Sequence, residues 1–295
     1  MRLLVRTPNW LGDAAMSLPA LNGILLDYPE TGLWAHNRVA GLYRLFFPEH
    51  AVFEFPKLPD NHTYDSLLLF PRSFSSAFAG VKAGFRNIIG APGEGRNLLL
   101  SQIRRIPEDR SRHHSLYYDS LAGVLGSLPC PPAVPALTPS ESPHVAIFAG
   151  ARYGESKMWN GFERIARETA LNCVFYGTGP EKSYLETLAG SSNSSVFTGK
   201  DIPGLCSSLI SAVACLGNDS GGVHLASALG IPTVTIFGST SPSWTSPLGR
   251  ASKIVRGKAA CAPCFKRTCR YGTFECLNTI DPAPVLKILE ETACG

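Results

Sequence analysis

Short apolar runs recur along the chain, separated by polar, glycine-bearing turns and by longer amphipathic stretches. In the first half, residues 3–6 (LLVR), 32–35, 52–55 and 66–70 (SLLLF) predict strands. Residues 14–26 predict a helix, with Met16, Leu18, Leu21, Ile24 and Leu25 as its apolar positions. Pro19 must either kink that helix or lie in its first turn. In the second half, residues 144–148, 173–176, 195–197, 212–216 and 233–237 predict strands. Helices are expected between them, at 162–170, 181–188, 202–211 and just after Gly222, and a final one at about 282–292. Strands alternating with helices imply α/β domains with parallel, doubly wound sheets. Residues 127–143 (SLPCPPAVPALTPSESP) contain six prolines and no aromatic residue, the composition of a linker between two such domains.

The most informative stretch is residues 217–238, GNDSGGVHLASALGIPTVTIFG. A buried strand enters it, a turn of small residues follows, and Val223, Leu225, Ala226, Ala228 and Leu229 suit a short buried helix. Gly230 and Pro232 stop that helix before the next strand. Free N–H groups at a helix start, glycines that let a ligand approach the backbone, and the Ser220 hydroxyl together suit a diphosphate. An ordinary tight β–α turn with Asp219 or Ser220 as N-cap satisfies the same pattern.

Composition narrows the class. With 44% hydrophobic and 17% charged residues, the chain reads as a soluble globular protein large enough for two domains. A net charge of +4 without clustered basic runs gives no reason to invoke nucleic acid. The N-terminus lacks a signal-peptide core, and the longest uncharged runs are short and broken. A cytoplasmic protein is expected, its nine cysteines serving as free thiols or a metal cluster rather than disulfides. Four of them, Cys261, Cys264, Cys269 and Cys276, are spaced C-x2-C-x4-C-x6-C. The number fits a zinc or iron–sulfur site, but the spacing is not that of a zinc ribbon. Free or partly buried thiols fit as well, and no metal is assigned.

With those residues in view, MRLLVRTPNWLGDAAMSLPAL, FAGARYGESKMW and GNDSGGVHLASALGIPTVTIFGSTSP, in that order, resemble the lipopolysaccharide heptosyltransferases of glycosyltransferase family 9. PNWLGDA and FGSTSP make the heptosyltransferase II type nearest. LLLFPRSFSSA and HHSLYYDSLAG extend the likeness over nearly the whole chain. The resemblance implies a GT-B architecture of two Rossmann-like domains facing a central cleft. Residues 1–135 would form the acceptor side, 144–280 the ADP-sugar side, and 281–295 a helix returning to the N-terminal domain. The implied activity transfers L-glycero-D-manno-heptose from ADP-heptose to the inner-core heptose of a Kdo-bearing lipid A precursor, with inversion. Peripheral contact with the inner membrane surface follows from the lipid-borne acceptor. A heptosyltransferase I, another family 9 enzyme or a non-catalytic nucleotide-binding module are the alternatives.

The resemblance also distributes roles. An inverting transfer needs a base for the acceptor hydroxyl, and Asp13 matches the family's proposed base; capping of the following helix is its other reading. Lys157 matches a lysine that meets the donor phosphates, with the backbone of Ser220, Gly221 and Gly222 completing the cradle. Asp219 is expected to accept hydrogen bonds from turn amides or to reach a sugar hydroxyl. His224, a turn further on, points to the ligand or braces the structure. Arg152 and Tyr153 stand at a donor-contacting position, while Gly177, Thr178 and Glu181 flank the nucleoside. Asn9, Trp10, Arg72 and Ser73 are the acceptor-side candidates. The chain has no DxD carboxylate pair for a divalent cation. No cofactor is expected, and activity should survive chelator.

Overall fold

The computed structural model describes residues 2–57, 63–107, 109–190, 193–199 and 201–294. The chain divides into two compact units, Met1–Asp109 with His114–Pro135, and Arg110–His113 with Ala136–Gly295.

The first unit holds strands β1 (Leu3–Arg6), β2 (Gly32–His36), β3 (Val52–Phe55), β4 (Ser66–Leu69), β5 (Asn87–Gly90) and β6 (Gln102–Ile103) in one parallel sheet. Every residue of β1 and β4 is buried, as expected of central strands covered on both faces. Helices α1 (Leu11–Asp27), α2 (Asn37–Phe46), α3 (Phe74–Lys82) and α4 (Ser115–Ala122) flank it, with α4 packed on α1. Helix α1 begins three residues earlier than its apolar pattern suggests. Asp13 therefore lies in the first turn, after the N-cap Trp10, and is not itself the cap. Pro19 stands in the helix interior rather than in that first turn.

The second unit repeats the plan with β7 (His144–Phe148), β8 (Cys173–Tyr176), β9 (Ser194–Phe197), β10 (Ala212–Asn218), β11 (Thr233–Phe237) and β12 (Ser252–Arg256). Helices α5 (Phe162–Glu168), α6 (Lys182–Ala189), α7 (Ile202–Leu209), α8 (Gly221–Ala228), α9 (Pro242–Thr245), α10 (Glu275–Asn278) and α11 (Pro282–Cys294) accompany them. Val285 and Leu289, one turn apart on α11, are fully buried in the core of the second unit, with Trp159, Phe162 and Ile280. That apolar stripe packs α11 against α5 and β10.

The sheet orders are β3-β2-β1-β4-β5-β6 and β12-β11-β10-β7-β8-β9. Counted from its own first strand, each unit follows the Rossmann order 3-2-1-4-5-6. The order reverses between β1 and β4 in one sheet and between β7 and β10 in the other. Ligands of open α/β sheets bind outside the carboxyl ends of the strands at those points.

Candidate active site

At the switch point of the first unit, the chain leaving β1 is anchored by Arg6. Its side chain is 1% exposed and stacks 4.3 Å from the centre of the Phe55 ring. The guanidinium donates to the carbonyls of Thr7 (2.5 Å) and Trp34 (3.1 Å) and to Asn9 Oδ1 (2.5 Å). Burial lowers its pKa to about 10, which still leaves it charged at neutral pH. The cation thus orders the loop that delivers Asn9, Trp10 and Asp13. Trp10 is half exposed, with Arg38 5.4 Å from its ring.

Asp13 Oδ1 lies 3.7 Å from His114 Nε2, just ahead of α4. The His114 ring stacks on Tyr117 at 5.7 Å, and the Tyr118 hydroxyl reaches its Nε2 at 3.4 Å. Burial, then the nearby Asp13 charge, pushes the Tyr118 phenol well above its ordinary pKa, so it stays protonated. Arg72, following β4, stands 4.5 Å over Tyr117, whose hydroxyl donates to Phe70 O at 2.8 Å. Ser73 is the N-cap of α3, accepting from Ser76 N at 3.3 Å. The base candidate and Arg72 thus come together around a His–Tyr–Tyr cluster.

The second unit builds its switch point around Asn218 and Asp219. Asn218 donates to Ala149 O at 2.7 Å and accepts from Trp159 N at 3.1 Å, tying the loop after β7 to the end of β10. Lys157 is therefore held beside Asp219. Its ammonium donates to Asp219 Oδ2 at 2.5 Å and to the Asp219 carbonyl at 3.0 Å. Thr240 and Thr245 hydroxyls donate to the same carboxylate oxygen at 2.7 and 3.1 Å. His224 Nε2 stands 3.7 Å from the other oxygen. Burial works to raise the Asp219 pKa, but the His224 hydrogen bond and the Lys157 charge outweigh it and hold the carboxyl well below its usual range. Asp219 thus takes side-chain donors, not the turn amides expected of it. A lysine ammonium has three donors; Asp219 takes two of those on Lys157.

Ser220 is the N-cap of α8, and its buried hydroxyl has no hydrogen-bond partner in the structure. Gly221 and Gly222 open the helix, and a Cβ on Gly222 would lie 2.2 Å from the Phe148 ring. At the end of β8, Glu181 accepts from Thr178 N (2.8 Å) and Thr178 Oγ1 (2.7 Å), which makes it the brace of its own turn. A Cβ on Gly177 would lie 2.5 Å from Leu185. Tyr153 places its ring 4.9 Å from Lys157 Nζ and donates its hydroxyl to Phe265 O at 2.7 Å, while Arg152 is exposed.

A family model described as Glycosyltransferase family 9 (heptosyltransferase) matches residues 130–275, which include this whole second constellation. Lipopolysaccharide heptosyltransferase 2 of Escherichia coli (strain K12) is 25% identical, over 98% of this chain and 97% of that one. The chain is similar to glycosyltransferase family 9 through these residues. It has the GT-B fold of solved heptosyltransferases. It superposes on E. coli ADP-heptose LPS heptosyltransferase II with a TM-score of 0.82 at 22% identity, covering 100% and 99% of the two chains. On an E. coli heptosyltransferase solved with ADP the TM-score is 0.76 at 17% identity, covering 99% and 100%.

Three groups of this site escaped sequence reasoning: Asn218 as a tie between loops, Thr240 and Thr245. Each lies inside a segment that carried the resemblance, GNDSGG or FGSTSP with the residues just after it. The segment was therefore visible; the partnership was not.

Proposed function

We propose that this glycosyltransferase transfers L-glycero-D-manno-heptose from ADP-heptose to the inner-core heptose of a Kdo-bearing lipid A precursor, with inversion at the anomeric carbon. The observation that carries the reading is that Asp13 and the Ser220–Gly222 turn each stand at the switch point of a Rossmann-like sheet. The Asp13 carboxylate takes the proton of the acceptor hydroxyl as that oxygen attacks C1 of the donor sugar. The bond from C1 to the diphosphate breaks, and ADP leaves with the electron pair. Lys157, through its remaining donor, and the amides and hydroxyl at the start of α8 meet the charge growing on the β-phosphate. Gly177, Thr178, Arg152 and Tyr153 border the nucleoside side, and Asn9, Trp10, Arg72 and Ser73 the acceptor side. His224 supports Asp219 through its ring nitrogen. Lysine and helix amides take the place of a divalent cation in this step, so omission of added magnesium or manganese leaves turnover unchanged. The acceptor is lipid-borne, which places the working enzyme at the cytoplasmic face of the inner membrane as a peripheral protein.

The deciding experiment incubates the enzyme with ADP-heptose and, separately, Kdo-lipid and heptosyl-Kdo-lipid acceptors, and follows which gains the mass of one heptose. Gain by the heptosyl-Kdo-lipid supports the reading; gain by Kdo-lipid alone assigns the preceding heptosyl step instead. Asp13→Asn keeps the shape of the side chain and removes the proton acceptor. It should lower kcat by ~10²–10⁴-fold while ADP binding by calorimetry is retained. Near-normal turnover of that variant removes Asp13 from the role of base.

A further inference from the structure

Helix α3 reverses the usual amphipathic arrangement. Ser76, Ala77 and Gly80 form its buried face, and Gly80 sits so close to the sheet that a Cβ there would lie 2.4 Å from Leu67 Cδ2. Small residues thus seat the helix. Its large apolar residues, Phe74, Phe78 and Val81, follow at i, i+4 and i+7, a stripe that a helix of a globular protein ordinarily buries. Here all three are exposed. The Phe74 and Phe78 rings are stacked with centroids 5.9 Å apart, so they make one continuous apolar surface. The turn Arg96–Leu99 packs on α3 and carries Leu98, which is 97% exposed.

Positive charge accompanies the stripe. Between Ser73 and Gly95 the charged residues are Lys82, Arg86 and Glu94. Both cations are exposed, and Lys82 Nζ stands 5.1 Å from the centre of the Phe78 ring. The carboxylate is tied back, Glu94 Oε2 accepting from Phe74 N at 3.0 Å. Aromatic rings edged by lysine and arginine suit the boundary between the acyl chains and headgroups of a bilayer. There the rings leave water and the cations meet lipid phosphates.

The helix also begins at the acceptor side. Its N-cap, Ser73, follows Arg72, which lies 4.5 Å over Tyr117. Tyr117 stacks on His114, whose Nε2 is 3.7 Å from Asp13 Oδ1. A lipid-borne acceptor keeps its acyl chains in the bilayer and extends only its sugars toward the base. The surface that meets the bilayer therefore has to lie beside the acceptor residues. That step rests on the acceptor proposed above, whereas the apolar and basic character of the face does not. A second copy of the chain is a poorer occupant. The nine residues of α3 span about 13 Å, and a face of that length and about 10 Å wide falls well short of the ~800 Å² per partner of a stable interface.

We propose that the outer face of α3, formed by Phe74, Phe78, Val81 and Lys82, is the surface through which this enzyme docks on an anionic phospholipid bilayer. Phe74 and Phe78 enter the headgroup boundary, and Lys82 and Arg86 lie at its phosphates. Docking confines the enzyme to the plane in which its acceptor diffuses, so it lowers KM for the lipid-borne acceptor and leaves kcat alone.

The test is flotation of the full chain with vesicles of phosphatidylethanolamine and phosphatidylglycerol, against vesicles of phosphatidylcholine. Wild type should float with the anionic vesicles and bind them less at high salt. Phe74→Ser/Phe78→Ser should weaken that binding ~10-fold or more, and Lys82→Glu/Arg86→Glu should weaken it ~10-fold. Melting temperatures should stay close to wild type, because all four side chains are exposed. In transfer assays the phenylalanine variant should raise KM for the vesicle-borne acceptor and leave turnover of the same acceptor stripped of its acyl chains unchanged. Failure of wild type to float, or wild-type binding by the phenylalanine variant, overturns the docking face. A wild type that is dimeric in sedimentation, with a monomeric phenylalanine variant, assigns the face to a second copy and overturns it as well. Absence of heptosyl transfer to either acceptor overturns the acceptor reading instead, and flotation still decides the docking face.

Discussion

At the scale of single residues, the buried pair Lys157–Asp219 makes the clearest energetic statement. Both partners are nearly inaccessible, and three donor side chains converge on one carboxylate oxygen. Removing one partner leaves the other charged and unpaired, which costs about 3–5 kcal/mol. Asp219→Asn and Lys157→Met should each therefore lower the urea midpoint markedly. The double variant should lose less than the sum of the two, and an additive loss would show that the pair is not coupled. Asp119, on α4, gives the opposite kind of prediction. Burial raises its carboxyl pKa from the ordinary 3.8 to about 6. Because the folded value lies above the unfolded one, the stability it contributes is complete below about pH 4 and is lost as pH rises through about 6. Asp119→Asn should raise Tm at pH 8, by about 2–4 °C for roughly 1 kcal/mol after solvent screening. Near pH 4 it should change little. Equal shifts at both pH values would dissociate the effect from ionisation.

At the scale of elements, the start of α8 is where backbone geometry matters most. Phe148, against which Gly222 packs, is itself stacked on Tyr176 at 5.4 Å. Tyr176 in turn is hydrogen-bonded to Ser208 and His144. The ring cannot move aside without disturbing that chain. Gly222→Ala should cost about 1–3 kcal/mol in unfolding experiments and weaken ADP binding. Gly179→Ala, where a Cβ meets nothing within 4 Å, is the matched control and should be silent in both measurements. The central strands and the α8 turn were legible in the sequence because they are unbroken apolar runs ended by glycine and proline. Helices α2, α3 and α4 were not. The N-cap of α2 is His36, which accepts from Arg38 N and is not one of the usual capping residues. Helix α3 leaves Phe74, Phe78 and Val81 more than 40% exposed, which blurs its apolar face. The edge strand β12 (SKIVR) is charged and has no fully buried residue, as edge strands tend to be. In the site, the resemblance pointed to Asp13, Lys157 and Asp219. The pairing of Lys157 with Asp219 spans 62 positions, and no local pattern encodes it.

At the scale of the whole molecule, the α11 stripe makes the C-terminus part of the second core rather than an appendage. A chain ending before Pro282 would uncover Val285's and Leu289's packing partners on α5 and β10. Such a truncation should abolish ADP binding while the first unit still melts cooperatively in calorimetry. Loss of both transitions would show that the two units do not fold independently.

The proline-rich stretch invites a cut between halves, for chimeras or split reporters, but the units are not two uninterrupted lengths of chain. Arg110–His113 belongs to the second unit although it lies within the first half of the sequence. There His113 Nε2 stands 2.8 Å from Ser246 O, and Arg110 lies 4.6 Å over the Phe265 ring. A splice at the prolines would transplant this four-residue strap with the wrong parent. Functional hybrids between relatives should therefore tolerate a joint at residue 136 only when residues 110–113 are exchanged with the C-terminal partner.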